Sequence, residues 1–194
     1  MDVDAGHSSN GRGSETWFRS WSHLRVDRRS AGYCRVTFDH PPINTITATT
    51  VAELAEVVCL IEEDTDLNVV VFDSANPAFY MADDDLGRTG MRAWRDLLAR
   101  LSRAPVVNIA SIRGRARGAG SEFVLACDLR FASRENTLLE IRLVADDLDG
   151  PRAEKHGYVN RAIADDRLDD EVDEMASRLA RFDHDAIART KYHA

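Results

Sequence analysis

Seven residues, Gly114-Arg115-Ala116-Arg117-Gly118-Ala119-Gly120, constrain this chain more than any other stretch. They follow the apolar run Val106 to Ile112, which reads as a buried strand, and precede Ser121 to Cys127, which reads as a short helix. Small residues at five of the seven positions predict a turn where backbone packs against backbone. A strand-to-helix turn also gathers unpaired N–H groups at the positive end of the helix dipole, which favours negative charge. Two phosphate-binding signatures are excluded. No Gly-Lys-Ser/Thr follows, and glycines at 114, 118 and 120 do not spell G-x-G-x-x-G. Spacing alone leaves two readings open: a tight turn that needs small residues, or an oxyanion hole built from backbone N–H groups. Glu122 lies in the first turn of an otherwise apolar helix, either as a capping charge or as a general acid/base. Ser121 is not a nucleophile of the G-x-S-x-G type, because residue 123 is Phe.

The rest of the chain alternates strands and helices. Tyr33 to Phe38 alternates and stops at Asp39-His40-Pro41-Pro42. Thr50 and Glu53 spell a capping box for a helix with Val51, Leu54, Val57, Val58 and Ile61 on one face. Asn68 to Phe72 is a continuous apolar strand. Met91 to Leu101 is an amphipathic helix, and Leu129 to Ala132 is a strand. Pro151 to His156 is a short helix with Gly157 after it, and Tyr158 to Ile163 is a strand. A last helix runs from Leu168 to Phe182. This order predicts an α/β fold with right-handed crossovers. Residues 1–22 are expected to form a disordered leader, with the aromatic cluster Trp17 to Trp21 docking on a single domain over 23–194.

Charge and cysteine content narrow the partners. Among 194 residues, 25 basic and 33 acidic side chains give a net charge of -8, which argues against a nucleic-acid backbone as main partner. Arg113, Arg115 and Arg117 could still form a local basic patch. Cys34, Cys59 and Cys127 each sit in apolar surroundings with no C-x-x-C, so buried reduced thiols are expected. No apolar run reaches the roughly 20 residues of a membrane span. The acidic amino terminus lacks a signal-peptide pattern, so a cytoplasmic chain without a membrane partner is expected. Asp83-Asp84-Asp85 follow the Val69 to Phe72 strand, but consecutive loop residues rarely converge on one ion, and no metal is expected.

Taken together, these stretches resemble the crotonase (enoyl-CoA hydratase/isomerase) superfamily. The resemblance is carried by Val36 to Asn44, Val69 to Ser74, Phe79 to Leu86, Ile112 to Ser133 and Gly157 to Asn160, in the family's order. It implies a spiral of ββα units, here shortened, and a homo-oligomer, a trimer or a dimer of trimers. It implies an acyl-CoA thioester as substrate, with coenzyme A part of that substrate and no separate cofactor. Two backbone N–H groups would stabilise an enolate-like intermediate. One falls on Ala119, between Gly118 and Gly120; the other falls on Asp84, or on Asp83 if the loop is offset by one. Glu122 matches a catalytic glutamate. Pro42-Ile43-Asn44 and Ala82 match segments that wrap the adenine and pantetheine of CoA, with Pro41 where a basic residue is common.

The sequence departs from that pattern after the strand at 129–132. The segment that supplies a second glutamate and one wall of the acyl pocket is absent, and Glu140 lies near the expected position but out of register. The chain also stops before the family's C-terminal helices. Either those parts are lost or the sequence omits segments of a longer chain. Three functions follow: an acyl-CoA lyase or isomerase with one glutamate as acid/base, a non-catalytic scaffold or regulatory protein, or a biosynthetic relative acting on a non-CoA substrate.

Overall fold

A computed structural model describes residues 17, 19–82, 86–141 and 146–192. Of the leader expected over residues 1–22, residues 1–16 and 18 lie outside the described residues. The chain enters through a hairpin, β1 (Leu24–Ser30) and β2 (Tyr33–Phe38), followed by α1 (Ala48–Glu63). Three successive units then follow one plan, a long strand, a short strand and a helix, with a second short strand added in the third. They are β3 (Val69–Ser74), β4 (Phe79–Met81) and α2 (Gly87–Arg103); β5 (Val107–Ile112), β6 (Arg115–Ala116) and α3 (Ala119–Ala126); and β7 (Leu129–Ser133), β8 (Leu138–Ile141), β9 (Asp146–Asp149) and α4 (Gly150–Lys155). The chain closes with β10 (Arg161–Ile163), a 3₁₀ turn at Asp165–Arg167, α5 (Leu168–Leu179) and α6 (His184–Tyr192).

The long strands form one sheet in the order β1-β2-β3-β5-β7-β10, and the short ones form a second sheet in the order β4-β6-β8-β9. Apart from the antiparallel β1/β2 and β8/β9 pairs, neighbours are parallel. Each unit thus climbs from the large sheet to the small one before its helix returns it. This is the expected spiral of ββα units.

Two hydrophobic clusters explain why the β3 run is apolar without alternation. Val70 and Phe72 face the main core with α1, α2 and α3. Val69 and Val71 face the opposite cluster, where Leu168, Val172 and Ala176 of α5 cover the sheet. Tyr80, Phe38, Phe72, Trp94 and Phe123 meet in the main core, with Phe123 edge-on to Phe38 and Phe72 at 5.3 and 5.1 Å. Phe123 therefore anchors α3, and with it the glycine turn. Trp17 packs into the same core at 3% exposure and its Nε1 donates to Asp64 at 2.9 Å.

Several expectations need correction. The α1 capping box uses Thr47 and Thr50, not Thr50 and Glu53. Glu53 instead accepts from the backbone N–H groups of Ser22 and His23, fastening the entry strand. β1 was not expected, because its polar pattern carries little alternation. The helix expected from Leu168 to Phe182 ends at Leu179, and a further helix, α6, follows it. Asn68 donates to the carbonyls of Ala180 and Phe182 at the end of α5, and Asp183 accepts from the Ala186 N–H to start α6. The strand expected from Tyr158 begins only at Arg161, because the Tyr158 and Val159 N–H groups close the end of α4 on the Ala153 carbonyl. Cys34 and Cys127 are buried, but Cys59 lies on the exposed face of α1. Of the three arginines that could form a basic patch, Arg113 is paired with Asp165 and Asp169 and Arg117 with Glu140, whereas Arg115 is exposed.

Candidate active site

The glycine turn folds as its composition demands. Gly118 has φ +52° and ψ -118°, a conformation costly for any residue with a Cβ, and it starts α3 without a side-chain cap. The turn's own carbonyls take three N–H groups: Gly120 donates to Arg117 at 2.8 Å, and Ser121 and Glu122 donate to Gly118 at 3.1 and 3.2 Å. Among the described residues, none accepts from the N–H of Ala119, although Ala119 is only 2% exposed. A buried N–H without an acceptor is rare in a folded protein. Here it stands in the first turn of α3, where the helix dipole adds to its pull on an anion.

A second segment is pressed against this turn. β4 runs parallel to β6, and the Arg117 N–H donates to the Met81 carbonyl at 3.1 Å. Glycines permit the approach. A Cβ on Gly120 would stand 2.6 Å from the Met81 carbonyl oxygen, and one on Gly114 would stand 2.4 Å from the Ala78 carbonyl carbon. Met81 and Ala82 are both buried beside α3. The expected first donor, Asp84 or Asp83, lies outside the described residues.

Ala82 also ties in the segment after β2. Its N–H donates to the Asn44 carbonyl at 3.2 Å, and its carbonyl accepts from Ile46 at 3.0 Å. Asn44 is buried, has φ +53°, and spends its side chain on the fold. Nδ2 donates to Ser74 Oγ at 2.7 Å and reaches the carbonyls of Phe38, Phe79 and Tyr80 at 3.2–3.3 Å. Pro42 is exposed and its carbonyl accepts from Asn76, while Ile43 is half-buried. Of these expected binding residues, Pro42 and Ile43 keep free side-chain surface, whereas Asn44 locks β2, β3 and β4 together. His40 stacks on His23, with ring centroids 3.6 Å apart and an 8° angle between planes.

Glu122 is half-buried in the first turn of α3, and among the described residues its carboxylate holds no hydrogen-bond or ion-pair partner. Ser121 donates to the Ala116 carbonyl at 2.7 Å, which commits its hydroxyl to the turn. Burial pushes the Cys127 thiol, at the end of α3, far above its ordinary range, so it stays protonated. Arg117 and Glu140 pair at 2.7 Å, a contact that local pattern does not reveal because it depends on how β6 and β8 align.

The sequence profile of enoyl-CoA hydratase/isomerase matches residues 28–139, more than half of the chain. The chain belongs to the enoyl-CoA hydratase/isomerase family. This family member is similar to the zebrafish (Danio rerio) enoyl-CoA hydratase domain-containing protein 3, mitochondrial. The two are 21% identical over 88% of this chain and 72% of that protein. It is 34% identical to the mouse (Mus musculus) enoyl-CoA hydratase domain-containing protein 2, mitochondrial, over 43% of this chain and 31% of that protein. Among solved structures, a Streptomyces avermitilis protein provisionally assigned as an enoyl-CoA hydratase superposes with a TM-score of 0.82. It is 32% identical, over 90% of this chain and 78% of that one. An enoyl-CoA hydratase structure from Mycobacterium smegmatis shares the fold at a TM-score of 0.81 and 24% identity, over 88% and 81% of the two chains. No helix among the described residues is long and apolar enough to cross a membrane.

Proposed function

We propose that this family member binds an acyl-CoA thioester and forms an enolate from it, with Glu122 as the acid/base. The observation that carries this reading is the buried Ala119 N–H, which has no acceptor among the described residues, one helical turn from the free carboxylate of Glu122. A thioester carbonyl seated on that N–H would be polarised, and the charge that develops on its oxygen as the α-carbon loses a proton would be stabilised. A single such donor is typically worth on the order of 10²–10³ in rate. Asp84 or Asp83 would supply the second donor. Glu122 would take the α-proton and return it. Pro42 and Ile43, Ala82, Gly118 and Gly120 would border the CoA moiety, with Asn44 holding that border in place. Coenzyme A enters as part of the substrate, and no further cofactor is needed for this chemistry.

The chain would work in the cytoplasm as a homo-oligomer. An apolar groove of about 410 Å³ between α6 and the sheet, edged by Phe182 at 59% exposure, supports self-association. The names of the zebrafish and mouse relatives place those proteins in mitochondria.

A thermal-shift titration with acyl-CoA thioesters, free CoA and a pantetheine thioester tests the reading. At a hundred times Kd, a ligand bound only by the native state adds about 2.7 kcal/mol of stability. A rise in Tm with thioesters supports an acyl-CoA site. A folded sample with no shift for any thioester contradicts it and favours a scaffold or a non-CoA substrate.

A further inference from the structure

Two histidines at the open end of the β1/β2 hairpin lie face to face. His23 precedes β1, His40 follows β2, and their half-buried rings stack with centroids 3.6 Å apart and planes 8° from parallel. Both rings connect to one carbonyl, that of Thr45. His40 Nδ1 lies 3.0 Å from it and must donate, because a carbonyl only accepts, so an added proton goes to Nε2. The Thr50 hydroxyl donates to the same oxygen at 3.3 Å, and His23 Nδ1 stands 2.8 Å from that hydroxyl. Thr45 in turn bridges to Ala82 at the end of β4. On either side, the Ala82 N–H donates to the Asn44 carbonyl and the Ile46 N–H to the Ala82 carbonyl. His40 also exchanges hydrogen bonds with Asn44. Its N–H donates to Asn44 Oδ1 at 2.8 Å, and its carbonyl accepts from the Asn44 N–H at 2.8 Å. The stack thus adjoins the contact that holds residues 40–46 against β4.

We infer that the His23–His40 stack is a proton-sensitive latch, and that protonating both rings releases residues 40–46 from the end of β4. Two imidazolium rings in this arrangement put like charges face to face, whereas neutral rings do not repel. The charged groups around the pair are already engaged. Glu53 of α1 accepts from the backbone N–H groups of Ser22 and His23 at 2.6 and 2.9 Å. Asp39, whose N–H donates to the His23 carbonyl, pairs with Arg25 of β1 at 2.9 Å. The start of α1 offers His23 Nδ1 only the hydroxyls of Thr47 and Thr50. Burial and the facing His40 hold the His23 pKa below 6.5, and Glu53 offsets them only in part. The latched form therefore binds the proton less readily than the released form. The latch is closed above pH 6.5 and opens as the pH falls below that value. Pro42 and Ile43 lie on the released segment, so thioester affinity falls with it. This consequence, unlike the release itself, rests on the acyl-CoA reading above.

Amide hydrogen exchange followed by NMR on the full chain tests the latch. Rates are read as protection factors, so that the intrinsic effect of pH on exchange cancels. Between about pH 7.5 and about pH 5.5, the Asn44, Ile46 and Ala82 amides of wild type should lose about tenfold in protection, while the Val70 and Val71 amides of β3 keep theirs. H40F keeps a ring against His23 but takes up no proton, and its protection at the three amides should change by less than about twofold over that range. Unchanged protection in wild type overturns the inference. So does a loss shared equally by β3, which is unfolding of the whole domain, or an H40F that loses protection as steeply as wild type. Should H40F fail to fold, H23F is read by the same criteria. Titration calorimetry with a saturated acyl-CoA follows the ligand. Its affinity should fall about tenfold over the same range in wild type and less than about twofold in H40F. Protection that falls as expected, with no thioester bound at any pH, upholds the latch and overturns the acyl-CoA reading alone.

Discussion

The carbonyl oxygen of Met81 lies 2.6 Å from where a Cβ on Gly120 would stand. This contact joins the two segments on which the proposed chemistry depends, the end of β4 and the first turn of α3. Glycine is required here for space, since Gly120 has no positive φ. Gly118 and Gly114, at φ +52° and +79°, are required for backbone conformation as well. Gly120→Ala must push strand and helix apart, because its nearest neighbour is backbone and cannot rotate away. The expected cost is about 1–3 kcal/mol, read as a lower urea midpoint at unchanged slope. Thioester affinity should fall with it.

Asn44→Ala removes a buried amide that serves Ser74 Oγ and the carbonyls of Phe38, Phe79 and Tyr80. It also places alanine at φ +53°, which asparagine tolerates better. A loss of about 3 kcal/mol is expected, because several buried acceptors lose their donor together. Chemical denaturation reads it directly. A change within experimental error would mean that the side chain is spare, and would return Asn44 to the ligand-facing role expected from sequence.

Trp17 is 3% exposed, donates to Asp64 at 2.9 Å, and has the Arg28 guanidinium 5.5 Å from its ring centroid. Trp17→Ala should cost about 3–5 kcal/mol. Limited proteolysis should then cut before β1 faster than in wild type. Equal cutting rates would show that the segment adds nothing to the domain.

Burial of the His23 ring, reinforced by the neighbouring His40 and opposed by Glu53, holds its pKa below the ordinary 6.5. Its Nδ1 lies 2.8 Å from Thr50 Oγ1. The unfolded chain therefore binds the proton more readily than the folded one. Stability from this group is full above pH 6.5 and is lost as the pH falls below that value. Unfolding midpoints measured between about pH 7 and pH 5 should decline in wild type. The decline should be shallower in His23→Gln.

Asp165 works in the same direction at lower pH. Burial raises its pKa, but hydrogen bonds from Ser133, Arg113 and Asn136 outweigh that and hold the carboxyl at about 2. Its contribution is present above the unfolded value of 3.8 and disappears as the pH falls toward about 2. Solvent screening keeps it small, since the side chain is 35% exposed. Asp165→Asn should lower stability at pH 7 and flatten the acid limb of the unfolding profile. An unchanged acid limb would contradict this assignment.

Local pattern carried most of the fold. The apolar runs of β3 and β5 and the faces of α1 and α2 are properties of neighbouring residues, and the Gly114–Gly120 turn marks where β4 can approach α3. What could not be read depends on distant partners. Thr47 rather than Thr50 caps α1 because Glu53 is drawn away to Ser22 and His23. The end of α5 is set by Asn68, more than a hundred residues earlier. At the candidate site, the motif points to Glu122 and Ala119, but the Arg117–Glu140 pair exists only through strand register. Asn44 looked like a binding residue because its segment does border the site, whereas its amide is consumed by the fold.

In the proposed reaction Glu122 removes a proton next to a thioester carbonyl held on the α3 N-terminus. The most direct measurement incubates a saturated acyl-CoA with the protein in deuterated water and follows deuterium entering the α-carbon by mass spectrometry. Wild type should exchange that hydrogen well above the buffer rate, and Glu122→Gln should be slower by at least about a hundredfold with thioester binding retained. A bound thioester that exchanges no α-hydrogen, or exchanges it equally in wild type and Glu122→Gln, would contradict the account.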